Sequence, residues 1–232
     1  MKAKNGIWLS PIRVLGLVLI LMVSCKKDEG NNNPSGSITD KDGNVYTSVT
    51  IGNQVWMVEN LKTTKYNDGT DIPLVTDNAE WKNLTTPGYC WYDNDASTYK
   101  STYGALYNWY AVNTNKLCPT GWRVPTSAEW TILTDYMGGL DVAGGRLKET
   151  GLTHWIDPNT GATNEYGFNA LPAGARDLNG LFGGIGSFGN WWSSLETEPT
   201  YAAGRGLHYF DGVVGEYGYP KISGISVRCV KD

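Results

Sequence analysis

Residues 121–130, GWRVPTSAEW, carry the signals that start a helix and so decide how the middle of the chain folds. Pro125 disfavours helical backbone in the residue before it, and Thr126 can cap a first helical turn with its hydroxyl group. Glu129 lies three residues after Thr126 and completes a capping box, in which each side chain bonds the backbone of the other residue. The stretch therefore predicts a helix start and assigns Glu129 to capping rather than to acid chemistry.

The next residues predict how far this helix runs and which face it buries. Trp130, Leu133 and Met137 recur at helical spacing on one face, and two glycines follow where a left-handed residue would end the helix. Arg123, before the helix, could stack on aromatic rings or pair with a carboxylate. We favour a structural salt bridge for Arg123 over a ligand contact.

A second, shorter helix is predicted at residues 103–113, YGALYNWYAVN, where apolar residues recur at helical intervals. After residue 165, segments such as GNWWSS and GLHYFDG are short, aromatic and separated by turn signals, as strands are. The composition of 10 Trp, 14 Tyr and 29 Gly is typical of short strands and ordered loops. We predict an α+β fold in which two helices pack on small, mostly antiparallel sheets with long loops rich in glycine and aromatic residues.

The segment GNVYTSVTIGNQVWMVENL (43–61) predicts a hairpin, because polar and apolar positions alternate on both sides of Gly52-Asn53. The preceding DKDGN places acidic residues at the first ligand positions of a calcium loop. However, Val45 stands where that loop requires glycine, and Ile51 where it requires glutamate. An ordinary Asp-Gly turn is predicted instead.

The N-terminus resembles a bacterial lipoprotein signal. Three basic residues precede an apolar run at residues 14–23, which is shorter than the roughly 20 residues needed to span a bilayer. The run ends in LMVSC, which resembles a lipobox, so residues 1–24 are predicted to be the signal peptide and Cys25 the lipidated residue. An ordinary signal peptide, with Cys25 removed or left as a free thiol, remains the alternative.

Two segments follow the predicted cleavage site. Residues 25–37 are polar and rich in Asn, Gly and Ser, which predicts a flexible tether, and residues 38–232 have the size of one domain. The KKDE run after Cys25 is similar to signals that route some Bacteroidetes-type lipoproteins to the cell surface. We therefore expect a bacterial outer-membrane protein, anchored by lipid and displayed on the cell surface.

The charge of the mature chain excludes one class of partner. Removing residues 1–24 leaves 16 basic and 23 acidic residues, a net charge of −7. No basic cluster is present, so nucleic acid is not expected as a partner.

Seven ordered blocks carry a resemblance that covers nearly all of residues 38–232. The blocks are DKDGNVYTSVTIGNQVWMVENL, YCWYDND, YGALYNWYAV, CPTGWRVPTSAEW, YGFNALPAGARDLNG, NWWSS and SVRCVKD. Together they resemble the Fibrobacter succinogenes major paralogous domain, and more distantly the C-type lectin-like superfamily that includes formylglycine-generating enzymes. The resemblance implies a C-type lectin-like fold with paired N- and C-terminal strands, and it implies no established activity.

The same resemblance implies how the cysteines are used. The lectin-like pattern joins a cysteine near the second helix to one on the last strand, which here are Cys118 and Cys229. On the chain-entropy model, a bridge across so long a loop stabilises the fold by about 4 kcal/mol. Cys90 has no second cysteine after the YDND block, so we interpret it as a buried, inert thiol.

Signals for catalysis or for a bound metal are weak. Formylglycine-generating enzymes use a copper-binding cysteine pair near the C-terminus, where this chain has Cys229 alone. A mannose-type calcium site needs EPN and WND, whereas this chain has EPT at 198–200 and no WND. G-x-S-x-G, H-E-x-x-H and P-loop motifs are missing, and His154 and His208 are the only histidines. We therefore expect no enzyme, no cofactor and no metal, although Glu196 and Glu198 leave a glycosidase as a minor alternative.

Aromatic residues in the later loops favour a binding role, since their rings stack on sugar faces and fill protein hot spots. In a lectin-like fold the recognition surface would lie at about residues 177–219. Half or more of the candidates there are expected to be packing residues, including at least one of the adjacent Trp191 and Trp192. The candidate ligand-binding residues are Arg176, Asp177, Trp191, Trp192, Tyr201, Arg205, Tyr209 and Tyr217.

Three functional hypotheses follow. The first is a lipid-anchored binding or adhesion module for a polysaccharide or a surface protein. The second is a structural component of the envelope without a small ligand. The third is an enzyme acting on surface glycans.

Overall fold

The computed structural model describes residues 1–3 and 37–232. The predicted signal peptide from residue 4 onward, Cys25 and the tether as far as residue 36 lie outside the described residues. Residues 37–232 belong to one compact unit. Among the described residues, no helix is long and apolar enough to cross a membrane.

The compact unit is mixed α+β and contains more sheet than helix, as predicted. All pairs of neighbouring strands are antiparallel except β8 with β10, within the part of the chain that the structure describes. The strands are β1 (Ile38–Thr39), β2 (Val45–Tyr46), β3 (Ser48–Ile51), β4 (Gln54–Met57), β5 (Tyr89–Cys90), β6 (Leu106–Tyr107), β7 (Trp122–Arg123), β8 (Ala173–Arg176), β9 (Phe182–Ile185), β10 (Phe188–Glu198), β11 (Tyr201–His208), β12 (Val214–Pro220) and β13 (Val230–Lys231).

The prediction of two helices is wrong, because residues 37–232 contain five α-helices, all short. The sequence around α2 has no apolar stripe, and Asp95 starts that helix by accepting hydrogen bonds from the backbone of Ser97 and Thr98. The helices are α1 (Asn78–Lys82), α2 (Ala96–Tyr103), α3 (Trp109–Val112), α4 (Ser127–Tyr136) and α5 (Leu140–Leu147).

The helix predicted at residues 103–113 is largely wrong. Apart from Tyr103 at the end of α2, only α3 is helical there, and the preceding Leu106–Tyr107 is strand β6. Tyr107 and Ile225 exchange backbone hydrogen bonds, which draws this segment into an extended conformation. Asn108 then caps α3 by accepting from the backbone N–H of Ala111 at 3.1 Å. Long-range strand pairing has overridden the helical spacing of the apolar residues.

Helix α4 confirms the prediction from residues 121–130. Thr126 and Glu129 form the reciprocal capping box. Both glycines after Met137 have positive φ, 94° and 95°, where a Cβ would be strained. Arg123 donates to both carboxylate oxygens of Glu129, so the predicted structural salt bridge is present.

The two ends of the domain meet in a sheet with the order β3-β4-β13-β7. Gly52, with φ of 60°, provides the turn of the predicted β3–β4 hairpin. Val230 on β13 pairs with Trp56 on β4, so the predicted pairing of the N- and C-terminal strands is confirmed.

The larger sheet, with the order β12-β11-β10-β8-β9, separates two hydrophobic cores. Trp191 lies in one core with Trp130 and Leu207, and Trp192 lies in the other with Tyr107. We call the core that contains Trp192 the first core and the core that contains Trp191 the second core. Successive side chains of a strand point to opposite faces, so adjacent tryptophans on β10 supply both cores.

The three cysteines among residues 37–232 are arranged as predicted. Cys118 and Cys229 form a disulfide with Cα atoms 6.1 Å apart. This bridge ties the segment before β7 to the segment before β13. Cys90 is free and buried, and burial raises the pKa of its thiol to about 12. At neutral pH this thiol is protonated and therefore a poor nucleophile.

Candidate functional site

A cluster of aromatic side chains lies on one face of the β10–β11–β12 sheet, at the end near the β11–β12 loop. The strand register explains the cluster, because Phe188 is opposite His208, and residues opposite each other share a face. Tyr217 and Tyr219 project from the same face of β12. A shallow groove of about 260 Å³ lies between these side chains. We call this surface the aromatic platform, formed by Phe188, Asn190, His208, Phe210, Tyr217 and Tyr219.

The rings of the platform contact one another around His208. The His208 ring stacks on Phe210 with centroids 5.2 Å apart and meets Tyr217 edge-on at 6.2 Å. Tyr217 in turn meets Tyr219 at 5.8 Å. Phe210 is 56% exposed and Tyr217 is 43% exposed, so two rings of the platform present large surfaces to solvent.

Glycines beneath the rings allow the tyrosines to lie flat on the sheet. A Cβ at Gly206 would come within 2.7 Å of the Tyr217 ring, and one at Gly215 within 2.3 Å. A Cβ at Gly204 would lie 2.8 Å from the Tyr219 ring. Side chains at these positions would lift the rings, so the glycines shape the platform.

Polar atoms orient the tyrosines, and the platform lining contains no Lys, Arg, Asp or Glu side chain. The Tyr219 hydroxyl donates to Asn190 Oδ1 at 2.8 Å, and burial raises the pKa of Tyr219 well above its ordinary value. The Tyr217 hydroxyl lies 3.3 Å from His208 Nε2. A surface of this kind can stack against the C–H face of a sugar or the apolar side chains of a protein.

Lys148, at the end of α5, holds the loop that carries Phe210. Its Nζ donates to the backbone oxygens of His208 and Asp211, at 2.9 and 2.7 Å, and to that of Thr160 at 2.9 Å. Lys148 is fully buried, and burial lowers the pKa of its amine to about 8. The side chain therefore ties the β11–β12 loop to the segment around Thr160.

Glycines in α5 bring the same loop close to the helix. A Cβ at Gly144 would lie 2.4 Å from the carbonyl oxygen of Val213, and one at Gly145 would lie 2.3 Å from that of Gly161. Gly145 donates its backbone N–H to the carbonyl of Gly212. The loop is thus positioned by backbone contacts that other residues in α5 would block.

The structure places the eight candidate residues in different environments, and Tyr217 is the one that belongs to the platform. Tyr201 is 39% exposed at the start of β11, but it is not part of the platform lining. Tyr209 is half-buried and packs against the second core. Asp177 is exposed and closes the β8–β9 turn by accepting hydrogen bonds from the backbone of Asn179 and Leu181.

The two candidate tryptophans are both buried, whereas at least one of them was expected to be a packing residue, so the correction is that neither is a binding candidate. Trp191 donates its indole N–H to Asn60 Oδ1 at 2.8 Å, and Trp192 donates to the carbonyl of Tyr107 at 2.7 Å. Their relative exposures are 1% and 0%. Both indoles are packed and hydrogen-bonded within the cores, so neither ring has a face free for a ligand.

The two candidate arginines are buried as well, which is a second correction. Arg176 donates to the carbonyls of Val75, Thr76 and Gly180, and its guanidinium lies over the rings of Trp81 and Phe182.

Arg205 lies under the N-terminus of α4. It donates to Ser127 Oγ at 3.0 Å and pairs with Glu216 at 2.6 Å. Both arginines were binding candidates because of their position near the predicted recognition segment, but they join elements across the interior.

Most residues of the platform were not singled out from the sequence. Phe188 and Asn190, like Tyr217 and Tyr219, are two residues apart on strands that contain glycines, and this spacing places them on one face. That alternation could have identified the set. His208 was not singled out, because its neighbours across the sheet are not visible in the sequence.

The described residues contain no group of three or more His, Cys, Asp or Glu side chains arranged to hold a metal. His154 bonds Glu149 through Nδ1, at 2.7 Å from Oε2, and its ring meets that of Tyr103 edge-on.

The fold and the platform define a class: a disulfide-bonded α+β domain of mostly antiparallel sheets with an exposed aromatic surface. The family model of the Fibrobacter succinogenes major domain matches residues 49–231. The chain therefore belongs to the Fibrobacter succinogenes major domain family, as the ordered sequence blocks predicted. No curated protein and no solved structure matches it.

Proposed function

We propose that the chain is a lipid-anchored, non-catalytic recognition module of the bacterial cell surface, and that its platform binds a polysaccharide or a partner protein. The observation that carries the proposal is the exposed aromatic platform, built on glycines of a rigid sheet. Rings held flat in advance lose little conformational entropy when a ligand stacks on them. The two exposed rings, Tyr217 and Phe210, are the expected points of contact.

Two features support a C-type lectin-like fold as part of this proposal. Strand β4 of the N-terminal hairpin pairs with the last strand through Trp56 and Val230, and the disulfide joins the segment before β7 to the segment before β13. In such a fold, loops before the final strands form the recognition surface, and the platform includes Phe210 from the β11–β12 loop.

The proposed location rests on the N-terminal sequence. The apolar run followed by LMVSC supports lipidation at Cys25, and the polar tether would hold the domain away from the membrane. We expect protease treatment of intact cells to release the domain. Protection of the chain in intact cells, with digestion after lysis, would contradict surface display.

Binding is tested with the full chain on an array of glycans and cell-wall polymers. Replacing Tyr217 with alanine removes an exposed ring of the platform, and we expect affinity to fall by at least about tenfold, as at interface hot spots. Tyr201→Ala is the matched control, because it removes a tyrosine of similar exposure outside the platform.

Equal loss of binding in the two variants would contradict a role for the platform. A wild-type chain that binds no polymer but captures a surface protein through Tyr217 would identify a protein partner. If the Tyr217→Ala and Phe210→Ala variants both retain every partner of the wild type, the structural role in the envelope is favoured.

A further inference from the structure

A second concave surface lies beside the disulfide and shares no lining residue with the platform. It encloses about 640 Å³, a volume within the range of roughly 300–1,000 Å³ that small-molecule sites occupy. Its sides come from the segment between α3 and β7, the start of α4 and the end of the last strand. We call this surface the disulfide cleft.

The floor of the disulfide cleft is apolar and firmly held. Val112, Leu117 and Val124 are buried at its base, next to Cys118. The disulfide links this base to Cys229, and Asn67 donates its side-chain N–H to the carbonyl of Cys118 at 3.2 Å. A cleft with such a floor is formed before any ligand arrives, which reduces the entropic penalty of binding.

The ion pairs in the cleft determine which ligands it suits. Of the described lining residues, Arg123 alone carries a positive charge, and it is engaged by Glu129 and by Asp232, whose Oδ1 lies 3.4 Å from Nε. A phosphate, sulfate or carboxylate would have to displace these carboxylates and would meet their negative charge. Anionic ligands are therefore disfavoured.

The groups left for a ligand are an aromatic ring and uncharged polar side chains. Trp122 is half-buried, with part of its ring packed on the first core and part exposed. Asn115 and Thr120 are exposed on the lining, and within the described chain their side chains form no hydrogen bond that a ligand would have to break. An aromatic ring beside amide and hydroxyl groups is complementary to the C–H face and the hydroxyls of a sugar.

We infer that the disulfide cleft is a second ligand site, separate from the platform, and that it binds an uncharged oligosaccharide against Trp122. Asn115 and Thr120 hydrogen-bond the sugar hydroxyls, and the apolar floor accommodates the edge of the ring. This site goes beyond the proposed function, since it does not depend on whether the platform binds anything.

The test is a calorimetric titration of the full Tyr217→Ala chain, in which the platform is damaged, with soluble cello-, xylo-, manno- and laminari-hexaose. Asn115→Gly removes the amide at a residue whose φ is 56°, where glycine is well tolerated. Asn94→Gly is the control for the backbone conformation, because Asn94 also has φ of 56° and lies outside the cleft lining; this variant also loses the hydrogen bond that Asn94 donates to the carbonyl of Thr76.

We expect at least one hexaose to bind, Asn115→Gly to weaken binding about fivefold, as for one lost hydrogen bond, and Asn94→Gly to leave it unchanged. Four hexaoses without measurable binding, or equal affinities of the two glycine variants, would overturn the inference. Binding of a basic peptide instead of the sugars would also overturn the inference, because the carboxylates of the cleft would then be the groups that recognise the ligand. Ligand binding by Tyr217→Ala is compared with that of the wild type in a separate experiment. A platform that binds no ligand and a cleft that binds no ligand therefore give different results.

Discussion

The two faces of the β10–β11–β12 sheet use aromatic residues in opposite ways. On the face covered by α4 and α5, Trp191 is packed against Trp130, and Arg205 reaches the start of α4. On the other face, at the end near the β11–β12 loop, Tyr217 lies over glycines with much of its ring in solvent. Neighbouring residues of the same strands thus supply a core and an open surface. The two faces differ in whether a helix covers them, and the residue types in the sequence do not show which face is covered.

The largest expected difference between the faces is in stability. Trp191→Ala removes a fully buried indole and leaves a cavity, so we expect the free energy of unfolding to fall by about 3–5 kcal/mol. Tyr217→Ala, on the open face, should change it by less than about 0.5 kcal/mol. Denaturant unfolding of the two variants measures both values. A similar loss in the two would show that the platform is part of the packed core.

Lys148 connects the two faces, because it lies at the end of a covering helix and holds the loop of the platform. Lys148→Met keeps the length of the side chain but leaves the partly buried carbonyls of Thr160, His208 and Asp211 without this donor, and we expect a loss of about 1–3 kcal/mol. Hydrogen exchange at the amides of Thr160 and Tyr209 should accelerate as well. Unchanged exchange at these amides would show that the loop does not depend on Lys148. Lys116→Met, which removes an exposed lysine outside the platform, is the control.

Acid should weaken the helix that covers the closed face. Burial alone would raise the pKa of Glu129, but hydrogen bonds from Arg123 and Thr126 outweigh it and lower the pKa. The stability that Glu129 contributes is therefore present above its unfolded pKa, about 4.3, and is lost as pH falls through the folded value.

Glu129→Gln tests this contribution. We expect the wild type to be more stable than this variant by about 1 kcal/mol at pH 7, and the difference to shrink as the pH falls from 5 to 3. Thermal unfolding across this range measures it. A difference that is constant with pH would show that the charge of Glu129 does not stabilise the helix.

The smallest expected change in stability, and the most selective for the open face, comes from Gly206→Ala. The added methyl group meets the Tyr217 ring and Asn190 Oδ1, which are both ends of side chains that can shift, so stability should fall by about 1 kcal/mol. Ligand affinity should nevertheless decrease as much as in Tyr217→Ala. Gly218→Ala is the control, because a Cβ there has its nearest neighbour at 3.9 Å. Retained affinity in Gly206→Ala would show that a flat tyrosine is not required.

Local signals accounted for the elements that the sequence predicted correctly. The capping box of Thr126 and Glu129, the double-glycine end of α4 and the turn at Gly52 each involve residues close together in the chain. The mistaken helix at residues 103–113 had the right spacing, but pairing of Tyr107 with Ile225 imposed strand geometry. Among the candidate binding residues, Arg176 and Arg205 were misplaced because their partners lie far away in sequence.

The sequence by itself determined the family, the disulfide partners through that resemblance, the hairpin, the capped helix and the mixed α+β class. These depend on ordered motifs or on short-range backbone chemistry that a linear pattern records. Only the tertiary structure decided that Trp191 and Trp192 are both buried, that the platform collects residues from three strands, and that Lys148 holds its loop. Burial and proximity depend on register and on which face a helix covers, and both are set by contacts between residues distant in the chain.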